Sequence, residues 1–293
     1  PLSIIPNAFQ IMMSMEIYSS IETGFRMIRK VLTMPELVRP NQEVTLSDQC
    51  YRFENVSFSY EKGIEVLHDI NFEVKPNSVF AIVGESGSGK STIAKLMAGF
   101  FDADDGRIYF GDQDVKSIPT SQLMKHVAYV AQDNFLFDTS IRENLKIAKA
   151  DATDEEIQAA LKAANCLELI ERLPEGLNSN AGDCGKFLSG GERQRITLAR
   201  AMLADAKCII LDEATAYADV ENEAKIQEAL SRLMKDKTLI VVAHRLNTIV
   251  GADQIMVLGH GKIESIGTHK ELIQNSSAYQ KLWQSYSGKE VVE

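Results

Sequence analysis

Residues 84–92, Gly84, Glu85, Ser86, Gly87, Ser88, Gly89, Lys90, Ser91 and Thr92, have the makeup of an anion cradle. The spacing Gly84-x-x-x-x-Gly89-Lys90-Ser91 is that of a phosphate-binding P-loop. Glycines let the backbone turn tightly, so that successive N–H groups face one anion. A helix opening at Ser91 adds unpaired N–H groups and the positive end of its dipole. Lys90 is long enough to reach the β- and γ-phosphates, and the Ser91 hydroxyl can ligate Mg²⁺. The alternative is a chance match in a Gly-rich turn. The apolar run 79–83 before it and the helical pattern 92–98 after it argue against that. These residues point to a nucleoside triphosphate site.

Two further groups belong with it. Residues 207–213 are an apolar strand ending in two carboxylates, Asp212 and Glu213. A strand parallel to the P-loop strand would put Asp212 near the Mg²⁺ and Glu213 near the γ-phosphate. Glu213 could then accept a proton from the attacking water, or orient it. The bland alternative, an acidic strand end facing solvent, loses weight beside the P-loop. Residues 188–195 begin Leu188, Ser189, Gly190, Gly191, Glu192 and open a helix running to Leu203. Ser189 is the expected N-cap, and the two glycines are expected to expose N–H groups at the helix tip. That makes a second anion site, or else a plain Gly-bearing helix start. One chain then holds two phosphate cradles and one carboxylate pair, which a symmetric dimer closing over shared nucleotides would explain.

The elements that must position these groups follow from periodicity. Strands are expected at 51–60, 70–74, 79–83, 107–110 and 127–131, with turns at Asp104-Asp105-Gly106 and around Pro119. Residues 138–173 read as helical, with a capping box beginning at Thr153, and 174–187 as a loop. Strands at 208–211 and 239–242 alternate with helices at 191–203 and 220–234. Strand–helix alternation after a P-loop gives an α/β fold with a mainly parallel sheet covered by helices. Near the start, Ile11, Met15, Tyr18, Ile21, Phe25, Ile28 and Leu32 recur in steps of three and four, an amphipathic helix ended by Pro35. It is either a helix packed on its own domain or the cytoplasmic end of a membrane-spanning helix. Arg26, Arg29 and Lys30 suit a cytoplasmic flank. Residues 35–49 read as a polar linker.

Length and charge narrow the classes. With 293 residues the chain can form one large domain and a smaller appendage. A net charge of −10 without any Lys/Arg run argues against nucleic acid as a partner. The scattered Cys50, Cys166, Cys184 and Cys208 fit reduced thiols better than disulfides or a zinc site. No stretch of about 18 apolar residues marks a complete membrane helix. The chain opens on Pro1 rather than Met, which suggests a fragment of a longer polypeptide.

Taken together, these motifs resemble the ATP-binding cassette ATPase of ABC transporters over about residues 50–286. Residues 84–92 look like Walker A, 208–213 like Walker B, and 188–192 like the LSGGQ signature with Glu192 in place of Gln. The resemblance assigns Gln132 to the Q-loop at Mg²⁺ and the attacking water, His244 to the switch at the γ-phosphate, and Tyr60 to adenine stacking. Read alone, those three residues would be an ordinary loop glutamine, a structural histidine and a sheet-face aromatic. Residues 135–144 resemble the stretch that meets the coupling helices of exporter-type membrane domains, and 182–185 loosely resemble the X-loop of that class. The D-loop departs from the family: Ala216-Tyr217-Ala218-Asp219 keeps Asp219 but lacks the Ser hydroxyl. That variant resembles some half-transporters linked to siderophores.

The resemblance implies a P-loop NTPase (RecA-like) core with an antiparallel β subdomain and a helical subdomain at about 134–204. Residues 1–34 would be the end of the last transmembrane helix, 35–49 a linker and 50–293 the cassette. It implies ATP and Mg²⁺ (held by Ser91, Gln132 and Asp212), with Glu213, Gln132 and His244 catalytic. The implied partners are a second ABC subunit and a transmembrane domain on the same polypeptide, the cassette lying on the cytoplasmic side of the membrane. A soluble ABC ATPase of DNA repair is disfavoured because no heptads separate Walker A from the signature. A regulatory cassette with little ATPase activity is the other rival.

Overall fold

The computed structural model describes residues 4–33, 37–46, 51–61, 63–212, 228, 237–243 and 246–287. The chain divides into two compact units, Pro1–Val38 and Arg39–Glu293. The first contains one helix, α1 (Ile4–Leu32), as the three-four periodicity predicts. Its Met15, Tyr18, Ile21, Phe25, Ile28 and Leu32 are exposed. Among the described residues no helix is long and apolar enough to cross a membrane.

The second unit is built on two sheets. β1 (Tyr51–Glu61), β2 (Ile64–Val74), β4 (Asp105–Phe110) and β5 (Gln113–Asp114) form an antiparallel sheet in the order β2-β1-β4-β5. β3 (Val79–Val83), β6 (Val127–Val130), β7 (Cys208–Asp212), β8 (Thr238–Val242), β9 (Gln254–Gly259) and β10 (Lys262–Gly267) form the second, ordered β10-β9-β3-β8-β7-β6. All its neighbours pair in parallel except β9 and β10. Strands β3, β7 and β8 are short and almost wholly apolar, as strands covered by helices on both faces must be. Three apolar clusters result: one between the sheets around Phe53, Phe72 and Phe80, one among the helices of 141–203, and one under the last two helices.

The helical part differs in detail from the expected continuous stretch at 138–173. After α3 (Thr120–His126), which leads into β6, it consists of α4 (Ile141–Lys146), α5 (Asp154–Ala163), α6 (Leu167–Arg172) and α7 (Gly190–Leu203). Thr153 and Glu156 form the expected capping box at the start of α5, and Asn165 at φ +55° turns the chain out before α6. β2 begins at Ile64 rather than residue 70, because its mixed first half pairs through backbone with β1. Gly106, expected in a turn, sits inside β4 at φ +79°, where a side chain would run into the backbone of Asn55. β9, β10 and the C-terminal helices α8 (His269–Asn275) and α9 (Ser277–Ser287) complete the unit and are not among the expected elements.

Residues 39–46, within the expected polar linker, belong to the second unit and bond to the rest of it. Arg39 pairs with Asp102 through two bonds of 3.0 and 2.6 Å. The Gln122 amide accepts from Val44 N at 3.0 Å and donates to Val44 O at 2.6 Å.

Candidate functional site

The first cradle sits at the end of β3, in the middle of the parallel sheet. Gly84 has no room for a side chain, because a Cβ there would run into the Leu258 carbonyl on β9. Gly89, at φ +104°, leads into α2 (Lys90–Met97), and a Cβ there would lie 2.7 Å from the Leu67 side chain. The N-terminus of α2 receives no side-chain cap, so its first N–H groups remain open to an anion. Lys90, almost fully buried, donates from Nζ to the carbonyls of Gly84 (2.9 Å) and Glu85 (2.8 Å), arching over the loop. The Ser88 hydroxyl is buried without a hydrogen-bond partner, the condition expected of a group awaiting a ligand oxygen. By these tests the loop fits a nucleotide's phosphates.

Asp212, at the end of β7, stands beside this cradle. Its Oδ1 accepts from Ser91 Oγ at 2.9 Å, and its Oδ2 accepts from Tyr129 Oη at 2.7 Å. Among the described residues no group of three or more His, Cys, Asp or Glu could hold a metal. A cation here would rest on the Ser91 hydroxyl, the Asp212 carboxylate and phosphate oxygens, the sparse protein set typical of Mg²⁺ with nucleotides. Burial pushes the Tyr129 phenol well above its ordinary pKa, and the bond to Asp212 adds to this, so it remains a donor. Tyr60, half-exposed, lies at the rim: its hydroxyl is 3.2 Å from Thr92 Oγ1 and its ring meets Phe101 edge-on at 5.3 Å. Together with the P-loop it lines a cavity of about 270 Å³.

The second cradle is the tip of α7. Ser189 is the N-cap, accepting from Glu192 N, while Glu192 Oε2 accepts from Ser189 N at 2.8 Å. Glu192 also forms an ion pair with Arg172 of α6. Burial opposes ionisation of Glu192, but the Ser189 N–H and Arg172 outweigh it and hold its pKa below the ordinary carboxylate value. Ser189 is exposed and Gly190 half-exposed, whereas Gly191 faces inward and is buried. The open part of the tip is therefore Ser189 and Gly190, not both glycines as expected, because the helix turns the second one onto its inner face.

The sequence and fold have known counterparts. A family model described as ABC transporter matches residues 67–216. The chain belongs to the ABC transporter family. It is 47% identical over 233 residues to the mycobactin import ATP-binding/permease protein IrtA of Mycolicibacterium smegmatis, covering 80% of this chain and 27% of that protein. It is 48% identical over 232 residues to the heavy metal tolerance protein of Schizosaccharomyces pombe, covering 79% of this chain and 28% of that protein. The structure of a bacterial Atm1-family ABC exporter with ATP bound superimposes with a TM-score of 0.83 at 33% identity, covering 94% of this chain and 48% of that one. The ABC chain thus spans little more than a quarter of the length of those two curated relatives and carries the family's ATP-binding domain.

In this ABC domain Gln132 lies two residues beyond β6 and is exposed. Its carbonyl accepts from Asn134 Nδ2 at 3.1 Å, and Asn134 Oδ1 in turn accepts from Thr197 Oγ1 of the signature helix at 2.8 Å. Further along, Arg200 of the same helix donates to the Asn144 carbonyl (2.9 Å) and side chain (3.0 Å). Fully buried Asn144 then holds the 137–140 loop through Phe137 N and O at 2.8 and 2.9 Å. The structure therefore brings the P-loop, Ser91 and Asp212 together, and ties the segment around Gln132 to α7. It adds Tyr129, Asn134, Asn144, Arg172 and Arg200, none of which spacing alone singles out. Only Tyr129 carries a sequence cue, an aromatic hydroxyl three residues before Gln132. Glu213, Asp219, His244 and the expected helix 220–234, apart from Glu228, lie outside the described residues.

Proposed function

We propose that this chain hydrolyses ATP with Mg²⁺ as one half of a head-to-tail dimer, powering exporter-type transport across a membrane. The observation that carries this reading is the pair of unequal cradles. The P-loop has its carboxylate, Asp212, beside Ser91, whereas the described contacts of the α7 tip are to Arg172 and to its own turn. A tip whose own carboxylate, Glu192, is taken up by the helix cap and by Arg172 suits the nucleotide of a second copy. In this reading Lys90 and the loop N–H groups grip the β- and γ-phosphates, Ser91 and Asp212 hold the cation, and Tyr60 stacks on adenine. Gln132 and Glu213 orient and deprotonate the attacking water, His244 contacts the γ-phosphate, and Ser189 and Gly190 of the partner close the site. Bound Mg²⁺ supplies charge neutralisation at the phosphates.

Residues 1–34 would be the cytoplasmic end of the last membrane helix, 35–49 the linker and 50–293 the cassette. The exposed apolar stripe of α1 and the ATP-binding/permease name of the mycobacterial relative support this placement. The loop carrying Phe135 and Phe137, both exposed, is the surface such a membrane domain would press upon. ATPase rate measured against protein concentration tests the reading. A cooperative rise is expected, with turnover lost but ATP binding kept in Glu213→Gln. A flat line near zero would instead indicate a regulatory cassette, and unchanged hydrolysis in the variant would remove Glu213 from its role.

A further inference from the structure

Tyr129 touches Asp212, the carboxylate that bonds Ser91 of the P-loop. β6 and β7 are parallel with Tyr129 opposite Ile210, so Tyr129 and Asp212, two positions on, fall on the same face of the sheet. Ser91 from α2 takes one carboxylate oxygen and Tyr129 from β6 takes the other, at 2.9 and 2.7 Å. The tyrosine ring is itself held edge-on by Phe100, 5.1 Å away, in the loop that follows α2. Ring packing alone would be served equally by phenylalanine. What the hydroxyl adds is a charge-assisted bond to a carboxylate that is almost completely buried.

Carboxylates that bind metals are oriented by their own hydrogen-bond partners, and such outer partners set metal affinity as well as geometry. With Oδ1 bonded from α2 and Oδ2 from β6, the Asp212 carboxylate is oriented by two donors and each oxygen keeps a lone pair for a cation. We propose that Tyr129 is a positioning residue for the divalent cation that accompanies ATP, acting through Asp212; this rests on the cation role of Asp212 proposed above.

The test is Tyr129→Phe in the full chain, which keeps the ring and its contact with Phe100. Mn²⁺ serves as the probe: free Mn²⁺ is read by electron paramagnetic resonance in the presence of a non-hydrolysable ATP analogue. Nucleotide affinity is measured separately in EDTA. The expected result is Mn²⁺ binding weakened by about 10- to 100-fold, with metal-free nucleotide affinity unchanged. Wild-type Mn²⁺ affinity in Tyr129→Phe, or an equal loss of metal-free nucleotide binding, would overturn the proposal. Wild-type Mn²⁺ affinity in Asp212→Asn would overturn the cation assignment beneath it, so the two failures are distinguishable.

Discussion

The two phosphate cradles of this chain are built on opposite principles. At the P-loop the helix N-terminus is uncapped, a buried lysine bends over the loop, and a buried serine hydroxyl has no partner. At the tip of α7 the helix satisfies itself: Ser189 and Glu192 cap each other's N–H groups, and Arg172 neutralises the carboxylate. The first is prepared for a ligand within its own chain and bears the cost of open donors. The second is complete when alone and presents only the exposed edge of Ser189 and Gly190 to a newcomer. A site with unmet donors binds by itself; a self-capped tip contributes once another surface brings a nucleotide to it.

The largest expected break in that contrast is Lys90→Ala. It removes the buried cation of the P-loop and should lower ATP affinity by about 10- to 100-fold or more, given roughly 1.5–3 kcal/mol per charge-assisted bond. Binding of a fluorescent ATP analogue checks it. The α7 tip should respond differently. Ser189→Ala should leave ATP binding by the single chain intact, lower helix stability by about 1 kcal/mol, and abolish the cooperative rise of ATPase rate. Unchanged cooperativity would place the α7 tip outside the nucleotide site.

The smallest effect sharpens the comparison. Arg172→Gln removes the cation beside Glu192 and leaves its carboxylate to the Ser189 N–H alone, and should slow turnover several-fold, the effect of about 1 kcal/mol of charge compensation. Adding Glu192→Gln should restore it. Since the folded pKa of Glu192 is lowered, the stability this pair gives is present above the ordinary carboxylate value and fades as pH falls through the lowered one. Denaturation midpoints compared between the native chain and Glu192→Gln should therefore converge on acidification. A gap that stays constant with pH would show that Glu192 contributes by packing rather than by charge.

The features that were legible in sequence are those made by neighbours in the chain. Gly84, Gly89 and Lys90 could be read because a P-loop is closed within a few residues. The caps at Thr153 and Ser189 could be read because a capping box spans four positions. Apolar strands β3, β7 and β8 stood out because burial on both faces leaves no polar positions. β9 carries an equally apolar run, Ile255–Leu258, and was open to the same reading, whereas β10 alternates exposed and half-buried residues at the antiparallel edge and gives a weaker signal.

Sequence alone thus determined that this chain has a phosphate loop, a capped second helix tip and an acidic strand end, because each is written in local spacing. Only the tertiary structure decided what stands against them. It set Leu258 against Gly84, Tyr129 on Asp212, Arg172 on Glu192 and Arg200 on Asn144. Those pairings join residues far apart in the chain, and sheet order with helix packing, which no local pattern encodes, brings them within bonding distance.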